Sequence, residues 1–333
     1  MKTKNHYLAS ANTGQGFVNY FEYILDKTKP SFLYILKGGP GTGKSTMLKK
    51  IAEYFYENGE PIEYFYCSSD ASSLDGIRLT AHNIAIVDGT APHTTEASLP
   101  SVNEKIINLG ECINDDIVQH KTVLNQLKNQ KQNLYNSVYK YLAIAQESML
   151  CALESCPIDL SYSQNILKKL DLKPFDKTGN VRHLFINFWG TKNKATLAKT
   201  NNFEKTFYLD DNILSINENM QALSIKFIKL GYDVVMFHNI LHPNFASALF
   251  LPQLNIFINS REKNNATSPS ATIHFATSAE YQKLVCKTLV QTKAVHKEIE
   301  KYYIDNIDFD ELNRITARII GNIENRIECT SNS

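Results

Sequence analysis

Apolar residues fall into short blocks set apart by polar turns, and the spacing inside the blocks alternates between strand and helix. Phe32-Leu33-Tyr34-Ile35-Leu36 is a continuous apolar run and predicts a buried strand. Leu48, Ile51, Ala52 and Phe55 recur three and four residues apart and predict a helix over residues 46–55, with Asn58-Gly59 as its C-cap. Residues 61–67 and 83–88 read as two more strands. Ahead of these, Asn12-Thr13-Gly14-Gln15-Gly16 reads as a turn, and Phe17, Tyr20, Phe21 and Ile24 share one face at helical spacing. Residues 102–109 read as a short helix, and residues 115–154 carry a long helical pattern through Ile117, Val123, Leu127, Leu134, Val138, Leu142 and Ala145. Strands alternating with helices predict an α/β fold with a mostly parallel sheet flanked by helices.

The second half repeats the first at a shift of 172 residues: residues 59–65 lie over 231–237, and Asn83-Ile84-Ala85-Ile86 over Asn255-Ile256-Phe257-Ile258. The helix positions follow, with Leu48, Ile51, Ala52 and Phe55 over Met220, Leu223, Ser224 and Phe227. The expected organisation is a duplicated fold. A first domain spans 1–175 with a helical insertion at about 97–155, a second spans 181–325, and 326–333 form a polar tail. Residues 280–323 read as helical again, with an apolar stripe at Leu284, Leu289, Val295, Ile299, Leu312, Ile315, Ile319 and Ile320.

Between the first strand and helix lies Gly38-Gly39-Pro40-Gly41-Thr42-Gly43-Lys44-Ser45-Thr46, which fits the Walker A phosphate loop G-x-x-x-x-G-K-[ST]. Its glycines let backbone N–H groups turn in around phosphate oxygens at a helix N-terminus. Lys44 is then expected on the β- and γ-phosphates, and the Ser45 hydroxyl on Mg²⁺. Four apolar residues ending in Asp88 read as the Walker B strand, whose carboxylate completes the Mg²⁺ shell. ATP and Mg²⁺ are the expected cofactors. Gly89 follows Asp88 where many motor-type ATPases carry a Glu that activates water. His93, just past the strand tip, is either a group that orients the nucleophile or an ordinary loop histidine. Asp70, beyond the 61–67 strand, either orders a water, metal or acceptor hydroxyl or closes a turn, and Asp75 reads as turn chemistry. In the second half the loop position reads Leu209-Asp210-Asp211-Asn212-Ile213, with no glycine or lysine, and Ser260 replaces the Walker B aspartate. Arg182 and Arg261 there are either surface arginines or an arginine finger.

Composition narrows the classes. Of 333 residues, 43% are hydrophobic, enough for sizeable cores, and the net charge of +1 favours neither nucleic acid nor an anionic membrane. Six cysteines without C-x-x-C or zinc spacing read as reduced thiols. Residues 1–6 lack an apolar signal core, and the stretch at 246–258 is too short to span a bilayer, so a cytoplasmic protein is expected.

The lead-in His6-Tyr7-Leu8-Ala9-Ser10-Ala11-Asn12-Thr13, the loop with its flanks, Cys67-Ser68-Ser69-Asp70 with Ser73-Leu74-Asp75-Gly76, and Val87-Asp88-Gly89-Thr90-Ala91-Pro92-His93 together resemble an uncharacterised family of bacterial P-loop ATPases. These occur in Firmicutes such as clostridia and bacilli and have two tandem P-loop domains. The resemblance covers nearly the whole chain and is most specific in residues 6–93. It implies an ATP-binding protein, and this sequence departs from it where relatives keep a second phosphate loop. Three activities compete: an ATPase acting as a switch, a kinase for a small molecule or nucleotide, and a nucleotide-dependent binding module. In each, an unidentified protein or small molecule is the partner at the helical insertion.

Overall fold

The computed structural model describes residues 3–154, 156–263 and 268–331. In chain order the elements are β1 (Lys4–Tyr7), β2 (Ser10–Thr13), β3 (Gly16–Asn19), β4 (Phe32–Lys37), α1 (Lys44–Glu57), β5 (Ile62–Tyr66), β6 (Leu74–Leu79), β7 (Ile84–Asp88), β8 (Glu104–Asn108), α2 (Lys121–Leu153) and α3 (Ser161–Lys168). The chain continues with β9 (Val181–Leu184), β10 (Asn187–Trp189), β11 (Lys194–Thr196), β12 (Lys205–Asp211), α4 (Ile213–Lys229), β13 (Val234–His238), β14 (Ala246–Leu251), β15 (Ile256–Glu262), α5 (Pro269–Ile304) and α6 (Phe309–Ser331). Two compact units divide it. One comprises Met1–Ala9, Phe21–Asn136 and Leu289–Ser333, and the other Ser10–Tyr20 and Ser137–Thr288.

The first unit is built on a six-stranded sheet of order β1-β5-β6-β7-β4-β8. β4 runs parallel to both β7 and β8, which puts the ends of two strands beside the start of the loop that follows β4. β6 is antiparallel to β5 and β7, so the sheet is mixed. Helix α1 turns Met47, Leu48, Ile51, Ala52 and Phe55 into the core, which α6 extends with Leu312, Ile315, Ile319 and Ile323. The helix ends at Asn58 and at Gly59 in the left-handed region (φ 101°), with Gly59 N and Glu60 N donating back to Tyr56 O and Phe55 O. β6 reads as polar in sequence because two of its charges are buried: Arg78 pairs with Glu63 across the β5–β6 ladder at 3.2 Å, and Asp75 lies inside.

The second unit holds a five-stranded sheet of order β9-β13-β14-β15-β12 and two antiparallel hairpins, β2–β3 and β10–β11. Its pairing senses run parallel, antiparallel, antiparallel, parallel, as they do from β1 to β4 in the first sheet. Tyr64 pairs with Ile77, and Met236 with Leu249, 172 residues on. The register breaks between Phe65 and Tyr66 and again between Phe237 and His238. Asn83 (φ 52°) and Asn255 (φ 50°) each enter the left-handed region ahead of the next strand. Helix α4 buries Met220, Leu223, Ser224 and Phe227.

Three expectations change. Where a helix was expected over 102–109, Glu104–Asn108 form strand β8 and Leu109 opens a 3₁₀ turn. The two consecutive isoleucines face opposite sides of the sheet, so Ile107 is buried while Ile106 stays exposed. Phe17 belongs to the β2–β3 hairpin and Phe21 to a single 3₁₀ turn, because Gly16 at φ 98° reverses the chain into an antiparallel pair where a helix was expected. The polar tail from 326 is the last part of α6 as far as Ser331, and its final two residues lie outside the described ones. Among the described residues the six cysteines are free, and no helix is long and apolar enough to cross a membrane.

Candidate functional site

Strand β4 delivers the glycine loop to the carboxyl end of the first sheet, between β7 and β8, and α1 begins within the motif at Lys44. Gly41 (φ 77°) and Gly43 (φ 80°) sit in the left-handed region that glycine enters without strain. Gly43 is the N-cap of α1 and offers no side-chain hydrogen bond, so the first amides of the helix have no internal side-chain acceptor. Thr42 is buried and folds its hydroxyl onto Gly39 O at 2.8 Å. Lys44 Nζ donates to Gly38 O (2.6 Å) and Gly39 O (2.8 Å) and lies 3.6 Å from Asp88 Oδ2. That contact follows from the pairing of β4 with β7, which sets Leu36 opposite Asp88. Asp88 also accepts from Thr90 N at 2.8 Å, and the Thr90 hydroxyl returns to Gly38 O at 3.0 Å. Ser45 Oγ accepts the Leu74 amide at 2.9 Å, leaving a lone pair for another partner. Gly38, Gly39, Pro40, Gly41, Thr42, Gly43, Lys44, Ser45 and Thr46 thus form one continuous turn from strand to helix, with Asp88 facing its lysine.

The loop is clamped from the C-terminal helices. A Cβ on Gly39 would lie 2.5 Å from the Tyr303 ring, and one on Gly41 2.7 Å from the Glu300 carbonyl oxygen. Gly41→Ala therefore meets both a left-handed φ, costing about 1–2 kcal/mol, and a backbone atom that cannot step aside. We expect a lower melting temperature and weakened nucleotide binding together, measured by thermal unfolding and by titration with a fluorescent ATP analogue. Unchanged values for both would contradict the clamp.

The other two sequence candidates behave differently. Asp70 Oδ1 takes Lys293 Nζ at 2.9 Å and the Ser72 amide and hydroxyl at 3.1 and 2.7 Å. Burial alone would raise its pKa, but the bonds from Lys293 and Ser72 bring it below the ordinary value, which keeps it an anion and a weak proton acceptor. His93 is buried, stacked on Phe21 (ring centroids 5.2 Å apart), with Nε2 3.3 Å from Asp75 Oδ2. Burial, opposed by Asp88 and reinforced by Lys44 and Lys131, pulls His93 down to about 4. Asp75 is pushed up to about 8 by burial and then by the Asp88 charge. Burial thus favours the uncharged form of both groups beside Asp88. Asp75 is the residue that sequence reasoning missed. An aspartate among serines and a glycine looks like a turn, and only the β6–β7 pairing carries it inside.

Around this loop α2 and α5 add a basic cluster within the same unit. Lys131 Nζ meets His296 Nδ1 at 2.8 Å, and Leu127 packs on Val295 and Ile299. Burial lowers the pKa of Lys131, with Lys44 contributing. At Gly89 a Cβ would run into the Ile35 side chain of β4, so this position has no room for a glutamate. Among the described residues no group of three or more His, Cys, Asp or Glu is placed to hold a metal ion. A Ser45 hydroxyl with the Asp88 carboxylate is the small protein share that Mg²⁺ uses when phosphates supply the rest. In the second unit, β12 passes into α4 with only Asn212 between, and its side chain accepts from Leu214 N and Ser215 N, both at 3.0 Å.

No curated protein and no solved structure matches the chain. Residues 12–139 match the family described as Nephrocystin 3, N-terminal, a P-loop NTPase-like family, and that stretch contains both the glycine loop and Asp88. The similarity stops before the second half and says nothing of a tandem arrangement.

Proposed function

We propose that the first unit binds ATP with Mg²⁺ and works as an ATPase switch. The observation that carries this is Lys44 Nζ at 3.6 Å from Asp88 Oδ2, at the end of two paired parallel strands and under an uncapped helix start. In this reading the amides of residues 38–46 hold the phosphates, and Lys44 leaves the Gly38 and Gly39 carbonyls for the β- and γ-phosphates. Ser45 and Asp88 hold Mg²⁺, which neutralises charge on the phosphoryl group. The similarity of residues 12–139 to a P-loop NTPase-like family supports it. The reading also takes the second sheet as a copy of the first that has lost its loop, supported by the matching strand order, registers and bulge positions. In this reading the unidentified protein or small-molecule partner belongs to the helical insertion at about 97–155.

One observation favours a second reading, transfer of the γ-phosphate to a small molecule or nucleotide. Gly89 cannot accommodate the water-activating glutamate, and neither Asp70, held as an anion by Lys293, nor neutral His93 is a strong base. The test is γ-phosphate release from Mg·ATP with and without a pool of nucleosides and small metabolites. Release without the pool supports the switch. Consumption of ATP only with the pool replaces it by a kinase. ATP binding without turnover in either leaves a binding module, and no ATP binding overturns the proposal.

A further inference from the structure

Strand β8 closes one side of the first sheet, and no further strand pairs with it among the described residues. Leu33 N donates to Asn103 O at 2.9 Å, with Leu33 opposite Glu104 in register. Backbone groups alternate sides along a strand, so Lys105 and Ile107 turn theirs toward β4, while Ile106 turns its N–H and C=O outward. Glu104, the outward residue before it, already accepts Ser101 N on its carbonyl at 2.7 Å. The open part of the edge is therefore short and centres on Ile106. Its side chain is exposed, as are those of Leu99 and Val102 just ahead of the strand. A free edge with apolar residues on it is a template for another strand.

Beside this edge, in the same unit, an open groove of about 320 Å³ runs between β8 and α6. Buried Ile107 and Ile315 line it together with the charged Lys105, Arg318 and Glu111. Glu111 is engaged by Asn108, whose Nδ2 donates to it at 3.2 Å. Lys105 and Arg318 have no ion-pair partner among the described residues. Lys105 lies two residues from Ile107 and so shares its face of the sheet. A strand added at Ile106 brings every second side chain to that same face, over the groove.

We infer that β8 takes an extended protein segment as a seventh strand, with an acidic side chain of that segment between Lys105 and Arg318. Charge selects the occupant. A second copy of this chain brings the same two cations and one carboxylate to the contact, and a lysine on an edge strand repels its own kind. An acidic segment meets both cations while its backbone pairs with the Ile106 N–H and C=O. The inference gives the partner assigned above to residues 97–155 a place and a chemistry. It needs no nucleotide, so its test stands apart from that of the ATP reading.

The experiment measures binding of short labelled peptides to the full chain by fluorescence anisotropy. One alternates valine with glutamate, one alternates valine with lysine, and one is the acidic peptide with alternate amides N-methylated to block strand pairing. The acidic peptide is expected to bind about tenfold tighter than either of the others. Lys105→Glu with Arg318→Glu should transfer the preference to the basic peptide. Ile106→Pro removes an N–H that β4 does not use, and should abolish binding of the acidic peptide without lowering the melting temperature. The double charge reversal alters exposed side chains only, and it decides the matter even where Ile106→Pro unfolds the chain. Equal binding of the acidic and N-methylated peptides overturns strand addition, and equal binding of the acidic and basic ones overturns the acidic partner. A dimer in sedimentation that Ile106→Pro disperses gives the edge to a second copy instead. Binding of no peptide overturns the inference and leaves the ATP reading as it stands.

Discussion

Lys44→Ala should lower the affinity for Mg·ATP about 10- to 100-fold and any phosphoryl turnover about 10²–10³-fold, while the protein remains folded. The binding loss follows from removing a charge-assisted donor aimed at the phosphates, worth about 1.5–3 kcal/mol. The larger loss of turnover follows because charge on the γ-phosphoryl group grows in the transition state. The fold should tolerate the change. Lys44 contributes no apolar area to the core of α1, and the carbonyls it leaves, Gly38 O and Gly39 O, sit in a half-buried loop within reach of water. Titration with a fluorescent ATP analogue and a circular dichroism melt report the two effects separately. Unchanged affinity would sink the role given to this lysine, and a collapse of the melt would recast it as structural.

The second large effect is acid lability. His93, His238, His242 and His296 are each held at about 4, from an ordinary value of 6.5. Burial is the leading cause in all four. His183 adds to it at His238, Lys131 at His296 and Lys194 at His242, where Glu262 opposes. Above pH 6.5 these groups are neutral in both folded and unfolded chains and contribute no slope. Between 6.5 and 4 the unfolded chain binds protons that the fold refuses, so each buried histidine removes up to about 1.4 kcal/mol per pH unit, and His296, its side chain 35% exposed, removes less. Asp75, held near 8, has the opposite sign. The fold keeps a proton that the unfolded chain has lost, so this group adds stability as pH falls from 8 toward 4. His6 is lowered in the same sense by burial and Glu300 raised in the opposite one, so the histidines outweigh the raised carboxyls and give a stability maximum near pH 6.5 and a fall below it. Urea unfolding from pH 8 to 4 measures this, and His238→Gln with His242→Gln should flatten the acid limb. A profile without slope between 6.5 and 4 would contradict the burial of these rings.

Much of this was legible from residue order alone. The strands β4, β5 and β7 and the helix α1 follow from apolar runs and from one helical face, and the glycine loop lies between the strand and helix it requires. The offset of 172 residues was readable because the two sheets bury the same strand positions in the same register. What was not legible depends on burial of polar residues. β6 hides Asp75 and Arg78 and so looked like loop, and Asp75 has no spacing that ties it to His93 or Asp88. The strand β8 was lost because its outer positions are polar and exposed, leaving one buried isoleucine as its signal. Asp70 looked free for chemistry because Lys293, which neutralises it, lies 223 residues away.

The two helix starts, α1 after Gly43 and α4 after Asn212, differ in a way that reaches beyond binding. A helix whose first amides are sealed by the carboxamide at its own N-cap has those donors satisfied without any ligand. A helix that opens without such a seal has a stability that depends on what is dissolved around it, rising by RT ln(1 + [L]/Kd) with any anion that docks there. Of the two, only α1 leaves its first amides to a ligand, so under the proposed ATP-binding reading the firmness of the helix after the phosphate loop would follow ligand supply.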